Sequence, residues 1–395
     1  MGTNLASTTA LVVPDMTGPD PVRPPLPAVS VTVQSWQGAD SPEFRSAWDE
    51  LALQAGDPNP FLESWYLLPA LRAHDQSGRV QLLRAHSQGQ LVGLLPLVRQ
   101  PRYYGKPLPH WAAWMHGNCF LGVPLVTRGL ETAFWQAMLG WADQSAKTGL
   151  FLHLPHLPLD STSYRALTAV CDEQGRPAGL VHCEERAMLA SDLSPDAYLA
   201  AVLTGKKRKE LRRQFARLSE QGVLSMTRTR AAEQLEAWVE AFLALEQSGW
   251  KGAAGSALAS HHATADLFRE ALAGAAIRGR LERLTLALDD EPLAMLASFI
   301  TPPGAFSFKT AFDERYARFS PGVLLQRANL SMLADPDVAW TDSCAAADHP
   351  MIDHFWRERR VIGRLSVGIG GALRRQIFAA VLKLELGRNP AGLGS

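Results

Sequence analysis

The order of its elements constrains this chain more than any single motif does. "VSVTVQSW", residues 29–36, alternates apolar and polar side chains and reads as a strand. "SPEFRSAWDELALQAG" follows as a helix, with Ser41 suited to the N-cap, Pro42 to the first helical position, and Phe44, Trp48 and Leu51 on one face. "NPFLESWYLLPALRAH" reads as a second helix. "VQLLRAHSQGQLVGLLPLVRQ" is a hairpin about a tight "SQGQ" turn, "ETAFWQAMLGWADQSAKTG" an amphipathic helix, and "LFLHLPHL" a buried strand. The second half repeats the order. "LSMTRTR" is a strand, "AAEQLEAWVEAFLALEQSGW" and "HHATADLFREALAGAAIRG" are helices, and "LERLTLALDDEPLAMLASFITPPGAFSFKTAF" makes three strands. A helix at "SPGVLLQRANLSMLAD" and a strand at "VAWTDS" complete it. What recurs is the plan and not the residues, so two α/β units of one design are expected.

Residues 1–28 are proline-rich and can hold neither a helix nor a sheet ladder, so they read as a disordered leader. The two units then take residues 29–190 and 223–365. Residues 191–222 join them as basic helices, in which Ser194 caps, Pro195 starts, and Gly205 and Gly222 punctuate. Residues 366–395 form an amphipathic helix and tail, with Leu373, Ile377, Val381 and Leu384 in an apolar stripe beside Arg374, Arg375 and Lys383. Such a stripe docks on the domain, pairs with a second subunit or touches a membrane surface, and the oligomeric state stays open.

Bulk composition removes several functions. With 39 basic and 39 acidic residues, no global field draws the chain to nucleic acid or to an acidic membrane. Four dispersed cysteines without a CxxC pair fit neither a disulfide framework nor a zinc site, and they suit a reducing cytoplasm. No stretch approaches the roughly 20 apolar residues of a membrane span, and no early apolar run has the basic flank of a secretory signal. The pairs at His261–His262, His153/His156 and Asp348–His349 lack zinc spacing, so no metal is expected. GxSxG, HExxH, GxxxxGK[ST] and GxGxxG are all absent.

Three stretches can carry chemistry. In "FKTAFDERYARFSPGVLLQRANL", residues 308–330, a strand passes through a basic turn into a helix start. Ser320 suits the N-cap and Pro321 the first helical position. Gly322 lets a ligand approach, and the free N–H groups around Val323 face a loop carrying Arg315 and Arg318. A pyrophosphate would suit this place, though Ser-Pro-Gly is equally a plain helix start. In "GKKRKELRRQFARLSEQG", residues 205–222, Leu211, Phe215 and Leu218 form the buried stripe. Arg212, Arg213 and their basic neighbours form cationic faces that bind an anion or are simply solvated. In "LEQSGWKGAAGSAL", residues 245–258, Glu246 is a candidate acid or base, and Trp250 and Lys251 precede a loop of small residues able to wrap a ligand.

Taken in order, "LEQSGWKGAAGSAL", "LDDEPLAMLASFI", "FSFKTAFDERYARFSPGVLLQ" and "DHFWRERRVIGRL", with the basic helix before them, resemble the CelD/BcsL type of GNAT acetyltransferase, related in fold to the FemAB peptidoglycan aminoacyltransferases. The likeness covers residues 190–365 by motif, and residues 40–190 by element order and length. It implies two tandem GNAT-like α/β units, each a mixed, mostly antiparallel sheet flanked by helices, and acyl-CoA, acetyl-CoA foremost, as co-substrate. In such enzymes a loop patterned Arg/Gln-x-x-Gly-x-Gly/Ala cradles the CoA pyrophosphate. The matching place here runs from Arg318 to Val323, keeps one glycine and puts a proline before it.

The reaction so implied is direct acyl transfer from a thioester to an amine or hydroxyl, which needs alignment, a base and an oxyanion donor. Asp313 is the favoured base, because it follows the strand that feeds the anion loop, with Glu246 and His349 as alternatives. Lys309 and Tyr316 would orient substrate or protonate the leaving thiolate. Trp250 and Lys251 would bind the acceptor, and Arg212 and Arg213 would reach the substrate's charge. The family's link to cellulose and other exopolysaccharides suggests a small or sugar-derived acceptor. Two other readings remain: a FemAB-like transferase using aminoacyl-tRNA, the one reading that brings in nucleic acid, and a non-catalytic GNAT-like module of polysaccharide machinery.

Overall fold

The computed structural model describes residues 27–347, 349 and 351–387, so the expected leader lies outside the described residues except for its last two. The first half supplies β1 (Ser30–Ser35), α1 (Pro42–Gln54), α2 (Ser64–His74), β2 (Gln81–Ser87), β3 (Gln90–Gln100), β4 (His110–Ala113), β5 (Leu125–Val126), α3 (Glu131–Ser145), β6 (Phe151–Pro158), α4 (Thr162–Glu173) and β7 (Ala178–Leu189). α5 (Pro195–Val202) and α6 (Gly205–Ser219) cross to the second half. There β8 (Leu224–Thr229), α7 (Leu235–Ser248), α8 (Trp250–Ala253), α9 (His262–Ile277), β9 (Leu281–Leu288), β10 (Glu291–Thr301), β11 (Gly304–Phe312), α10 (Pro321–Asn329), β12 (Trp340–Asp342), β13 (Glu358–Gly368) and α11 (Ala372–Leu386) follow. The caps read from sequence at Ser41 and Ser194 are made: their hydroxyls accept the N–H groups of Phe44 at 3.2 Å and Ala197 at 3.3 Å.

Among the described residues the strands form one mixed sheet, ordered β1-β2-β3-β4-β6-β13-β7-β12-β11-β10-β9-β8, with β5 beside β3. Most neighbours are antiparallel; β4–β6 and β11–β12 are the parallel pairs. The halves exchange their last strands. β7 leaves the first half to pair with β12, β13 leaves the second to pair with β6, and β7 and β13 pair with each other at the centre. β4, β5, β7, β13 and α4 are not among the elements read from the sequence. β7 hides in the charged run His182–Arg186, and β13 opens on Glu358, Arg359 and Arg360. Their buried arginines are tied into ion pairs at the site below.

A seam of rings joins the halves beneath the sheet. Phe61 meets Phe120 and Phe306 at 5.6 and 5.8 Å, and Phe299 stacks on Phe308 at 4.6 Å. α2 of the first half packs on α9 of the second. Two amphipathic expectations are corrected. In α6, Leu211 and Leu218 are buried but Phe215 is 42% exposed, because the helix meets the body only at its two ends of that stripe. α11 docks through Phe378 and Leu382, against Phe151 and Tyr103, and leaves Leu373, Ile377 and Leu384 exposed. No helix among the described residues is long and apolar enough to cross a membrane.

Candidate active site

β11 and β12 run side by side for only three residue pairs, Gly304–Trp340, Ala305–Thr341 and Phe306–Asp342. Past Asp342 the chain turns off: Asp342 Oδ1 accepts the Cys344 N–H at 2.8 Å, and Cys344 takes a left-handed φ of 52°. β11 runs on to Phe312 with β10 as its remaining neighbour. A bulge leaves Phe308 without a cross-strand partner between Ser307 and Lys309, so four consecutive residues, Ser307–Thr310, reach the gap. That gap is a cleft of about 760 Å³. Its walls include Trp250 and Lys251, the α10 start at Ser320–Val323, Cys344, His349, and Phe120 from the first half.

The exchanged strands fix the point of divergence. Asp342 is fully buried and faces Arg186 of β7 at 3.4 Å and Arg360 of β13 at 3.6 Å. Arg186 also donates to the Phe120 carbonyl at 2.9 Å, which sets the first-half loop against the cleft. A buried charge needs such partners to be tolerated.

Inside the cleft, burial pushes the Lys309 amine down to about 8; the Lys251 charge adds to this and Glu246 opposes it. Its nitrogen lies 5.3 and 5.5 Å from the ring centres of Phe120 and Phe308. Glu246 stands just outside the lining and braces it. Its Oε1 accepts Lys251 Nζ at 2.7 Å and its Oε2 accepts the Leu258 N–H at 2.8 Å. The segment between, expected as a loop, includes the turn α8, and Gly252 is required there, since a Cβ would stand 1.8 Å from the Gln247 carbonyl oxygen. Trp250 is 59% exposed at the cleft, and its backbone N–H is held by Glu314 at 2.8 Å. Burial lowers the His349 imidazole below its usual value, with Asp353 opposing. His349 Nδ1 and Ser307 Oγ are buried without a hydrogen-bond partner among the described residues. Such orphaned atoms in a cleft wall suit a ligand.

The helix start differs from its expected form. Ser320 does not cap with its hydroxyl: it closes the 3₁₀ helix Glu314–Phe319 in a left-handed conformation (φ 54°), and from there its side chain accepts no first-turn N–H. Its carbonyl oxygen accepts from Val323 and Leu324 instead, both at 3.0 Å. A Cβ on Gly322 would lie 2.9 Å from Met351 Sδ and 3.3 Å from Phe312, so a flexible thioether lies over the backbone there. Arg315 grips Asp313 through Nε and Nη2, at 3.0 and 2.7 Å. That hydrogen bonding keeps the Asp313 carboxyl below the usual range. Arg318 stacks on Phe319 at 4.6 Å, and Tyr316 packs in the core beneath α10. Arg213 pairs with Glu210, and Arg212 lines a separate groove.

The cleft therefore gathers Trp250, Lys251, Lys309, Ser320, Gly322, Val323 and His349, while Glu246, Asp313, Arg315, Tyr316, Arg318, Arg212 and Arg213 stand outside its lining. Phe120, Ser307 and Cys344 went unread in the sequence. The plan read from the sequence lacks β4, so it offers no element by which to set the Phe120 loop against the end of β11. Among the described residues no group of three or more His, Cys, Asp and Glu is placed to hold a metal ion.

Residues 205–349 match the acetyltransferase (GNAT) domain family. No curated protein matches the chain in sequence. FemX is similar in structure, with a TM-score of 0.53 at 10% identity over 86% of this chain and 98% of that one. The C-terminal DUF2156 domain of a protein described as a lysylphosphatidylglycerol synthetase, from Agrobacterium fabrum, scores 0.52 at 12% identity over 87% and 96%. A conserved protein of unknown function from Bacteroides thetaiotaomicron scores 0.50 at 9% identity over 84% and 98%. These likenesses span both halves, and at such identities they speak to the fold.

Proposed function

We propose that this chain, which carries an acetyltransferase domain of the GNAT type on a FemAB-like double fold, moves an acyl group, acetyl foremost, from acyl-CoA to an amine or hydroxyl in the cleft where β11 and β12 part. One observation carries the reading: a single cavity of about 760 Å³ brings together Lys309, whose amine is pushed down to about 8, His349, whose Nδ1 has no partner among the described residues, and the start of α10.

The roles follow from the titration of these groups. His349, held below its usual pKa, is neutral near pH 7 and takes the proton of the attacking amine or hydroxyl. The new C–N or C–O bond forms as the thioester carbonyl becomes an oxyanion, which the backbone at the Phe308 bulge and the Ser307 hydroxyl stabilise. The C–S bond then breaks, and Lys309, still mostly ammonium at pH 7, gives its proton to the thiolate. Asp313 is the weaker candidate for base, because its pairing with Arg315 lowers its proton affinity. Burial raises the Cys344 thiol well above its usual range, which disfavours the thiolate and supports direct transfer. The open Trp250 ring supports an acceptor with a flat apolar face, a sugar ring among them, in keeping with the exopolysaccharide resemblance.

A second donor class has one observation in its favour. Lys206, Lys207, Lys209, Arg212, Arg213 and Arg217 are exposed on α6, and among the described residues Arg213 is the member of this set with an ion pair. That face supports aminoacyl-tRNA as the alternative donor. Turnover assays with acetyl-CoA and with aminoacyl-tRNA, over a panel of amino sugars and amines, decide between them. Turnover with acetyl-CoA that changes little with salt is expected. Turnover with charged tRNA alone, falling steeply with salt, would replace the donor. No acyl transfer and no calorimetric binding of any acyl-CoA would sink the proposal.

A further inference from the structure

Between α6, β8 and α10 lies a groove of about 360 Å³, lined by Arg212, Phe215, Met226, Leu324, Arg327 and Ala328. It adjoins the cleft across α10: Val323 lines the cleft, and the next residue, Leu324, lines the groove. Arg327 lies five residues past Gly322, about 7.5 Å along the helix axis at ~1.5 Å per residue. Phe215 and Met226 are 42% and 40% exposed there. Helical spacing sets Phe215 on the stripe of Leu211 and Leu218, yet it stays open while they are buried. The guanidinium groups of Arg212 and Arg327 have no hydrogen bond or ion pair among the described residues. An open ring and thioether between two uncompensated guanidinium groups suit a flat heterocycle that carries phosphate.

We propose that this groove holds the phosphorylated adenosine of acyl-CoA, the handle of the donor whose thioester reacts next door. The purine stacks on Phe215 against Met226, and Arg212 and Arg327 take the phosphates. This rests on the acyl-transfer reading above and adds to it the determinant of donor choice. The volume suits one nucleotide and not a folded nucleic acid, and the arginine pair supplies the charge complement the α10 start lacks, since Arg315 and Arg318 are turned to Asp313 and Phe319.

The test uses the whole chain and adenosine 3′,5′-bisphosphate as probe. Calorimetry is expected to show binding to the wild type, at least tenfold weaker binding in the double variant Arg212→Ala/Arg327→Ala, and several-fold weaker binding in Phe215→Ala. All three positions lie on a groove wall, and thermal melts check that the variants fold. In turnover, the wild-type KM for acetyl-CoA should lie at least tenfold below that for acetyl-pantetheine, which lacks the nucleotide, and the double variant should bring that ratio toward one. No bisphosphate binding, or binding that the double variant leaves unchanged, overturns the groove; acetyl-pantetheine turnover would then still support the transferase reading. Bisphosphate binding lost in the variant, with neither thioester turned over, keeps the groove as a nucleotide site and sinks the transferase reading. An RNA minihelix ending in CCA that binds through these residues where the bisphosphate does not would also overturn the assignment.

Discussion

The two halves place a helix after the same part of the sheet and fill its start in opposite ways. At α3 the first helical residue is Glu131, buried, with Oε2 accepting the Gly129 N–H at 2.9 Å and Oε1 accepting the Thr162 hydroxyl at 3.3 Å. A Cβ on Gly56 would stand 2.3 Å from Glu131 Oε1, so that space is full. At α10 the first turn has no acidic residue, and Ser320–Val323 border the cleft. A carboxylate at a helix start does for the positive end what a bound anion would do. The strand divergence differs in the same sense. β4 and β6 separate beside His153, which burial keeps neutral with a pKa near 3 and which meets the Ser366 hydroxyl at 3.0 Å. β11 and β12 separate beside Asp342, set between two arginines. One plan thus serves once as a closed scaffold and once around an opening.

The largest effect expected concerns stability at the two points of divergence. Asp342→Ala removes the buried carboxylate that Arg186 and Arg360 share, leaving Glu184 at 4.0 Å from the first and Asp160 at 3.2 Å from the second, and should cost about 3 kcal/mol in urea unfolding. His153→Leu removes a neutral hydrogen bond and should cost about 1 kcal/mol. Equal losses would break the contrast drawn between the halves. Next in size is chemistry. Lys309→Met should lower kcat by about 10²-fold while raising stability at pH 7. The folded pKa of Lys309, about 8, lies below its ordinary 10.5. Its ammonium therefore destabilises the fold fully below pH 8, and the penalty fades as pH rises from there toward 10.5. The stability gained by Lys309→Met should shrink over that window. Smaller again, Glu131→Ala should cost about 1 kcal/mol through the Gly129 N–H, since the Thr162 hydroxyl keeps Asp57 at 2.8 Å, and should leave turnover unchanged. A Glu131→Ala enzyme that loses activity without losing stability would make the first half part of the site.

Much of this contrast can be read in the residues, but unevenly. The Pro42 and Pro195 helix starts, the hairpins and the repeated order follow from local patterns that need no partner. Trp250, Lys251 and Lys309 announce themselves as a ring and two cations beside glycine or strand signals, and the cleft gathers them. The exchange of β7 and β13 is not local. Arg186, Asp342 and Arg360 look like surface charges in sequence and are buried because three distant segments meet. Arg315, read in sequence as facing an anion, is held instead by Asp313 two residues away. Phe215 had the right period and no partner to cover it.

The smallest expected effect tests the second half's chemistry most directly. Glu246 raises the proton affinity of Lys309 and pairs with Lys251, whose charge lowers it. Glu246→Gln keeps an oxygen for the Leu258 N–H but removes the negative charge and frees Lys251, and both changes favour the neutral form of Lys309. If Lys309 is the acid, activity falls above its pKa near 8, and the variant's alkaline limb must move toward neutrality, by under about one pH unit for a partly solvated pair. The acid limb, set by His349 below 6.5, should move little, since Lys251 is a minor influence on it beside burial. A pH–kcat profile of the wild type and Glu246→Gln reads both limbs in one experiment. An alkaline limb that stays in place would mean that Lys309 carries no proton in the reaction, and the second half's opening would then lose its claim to differ in chemistry from the closed first half.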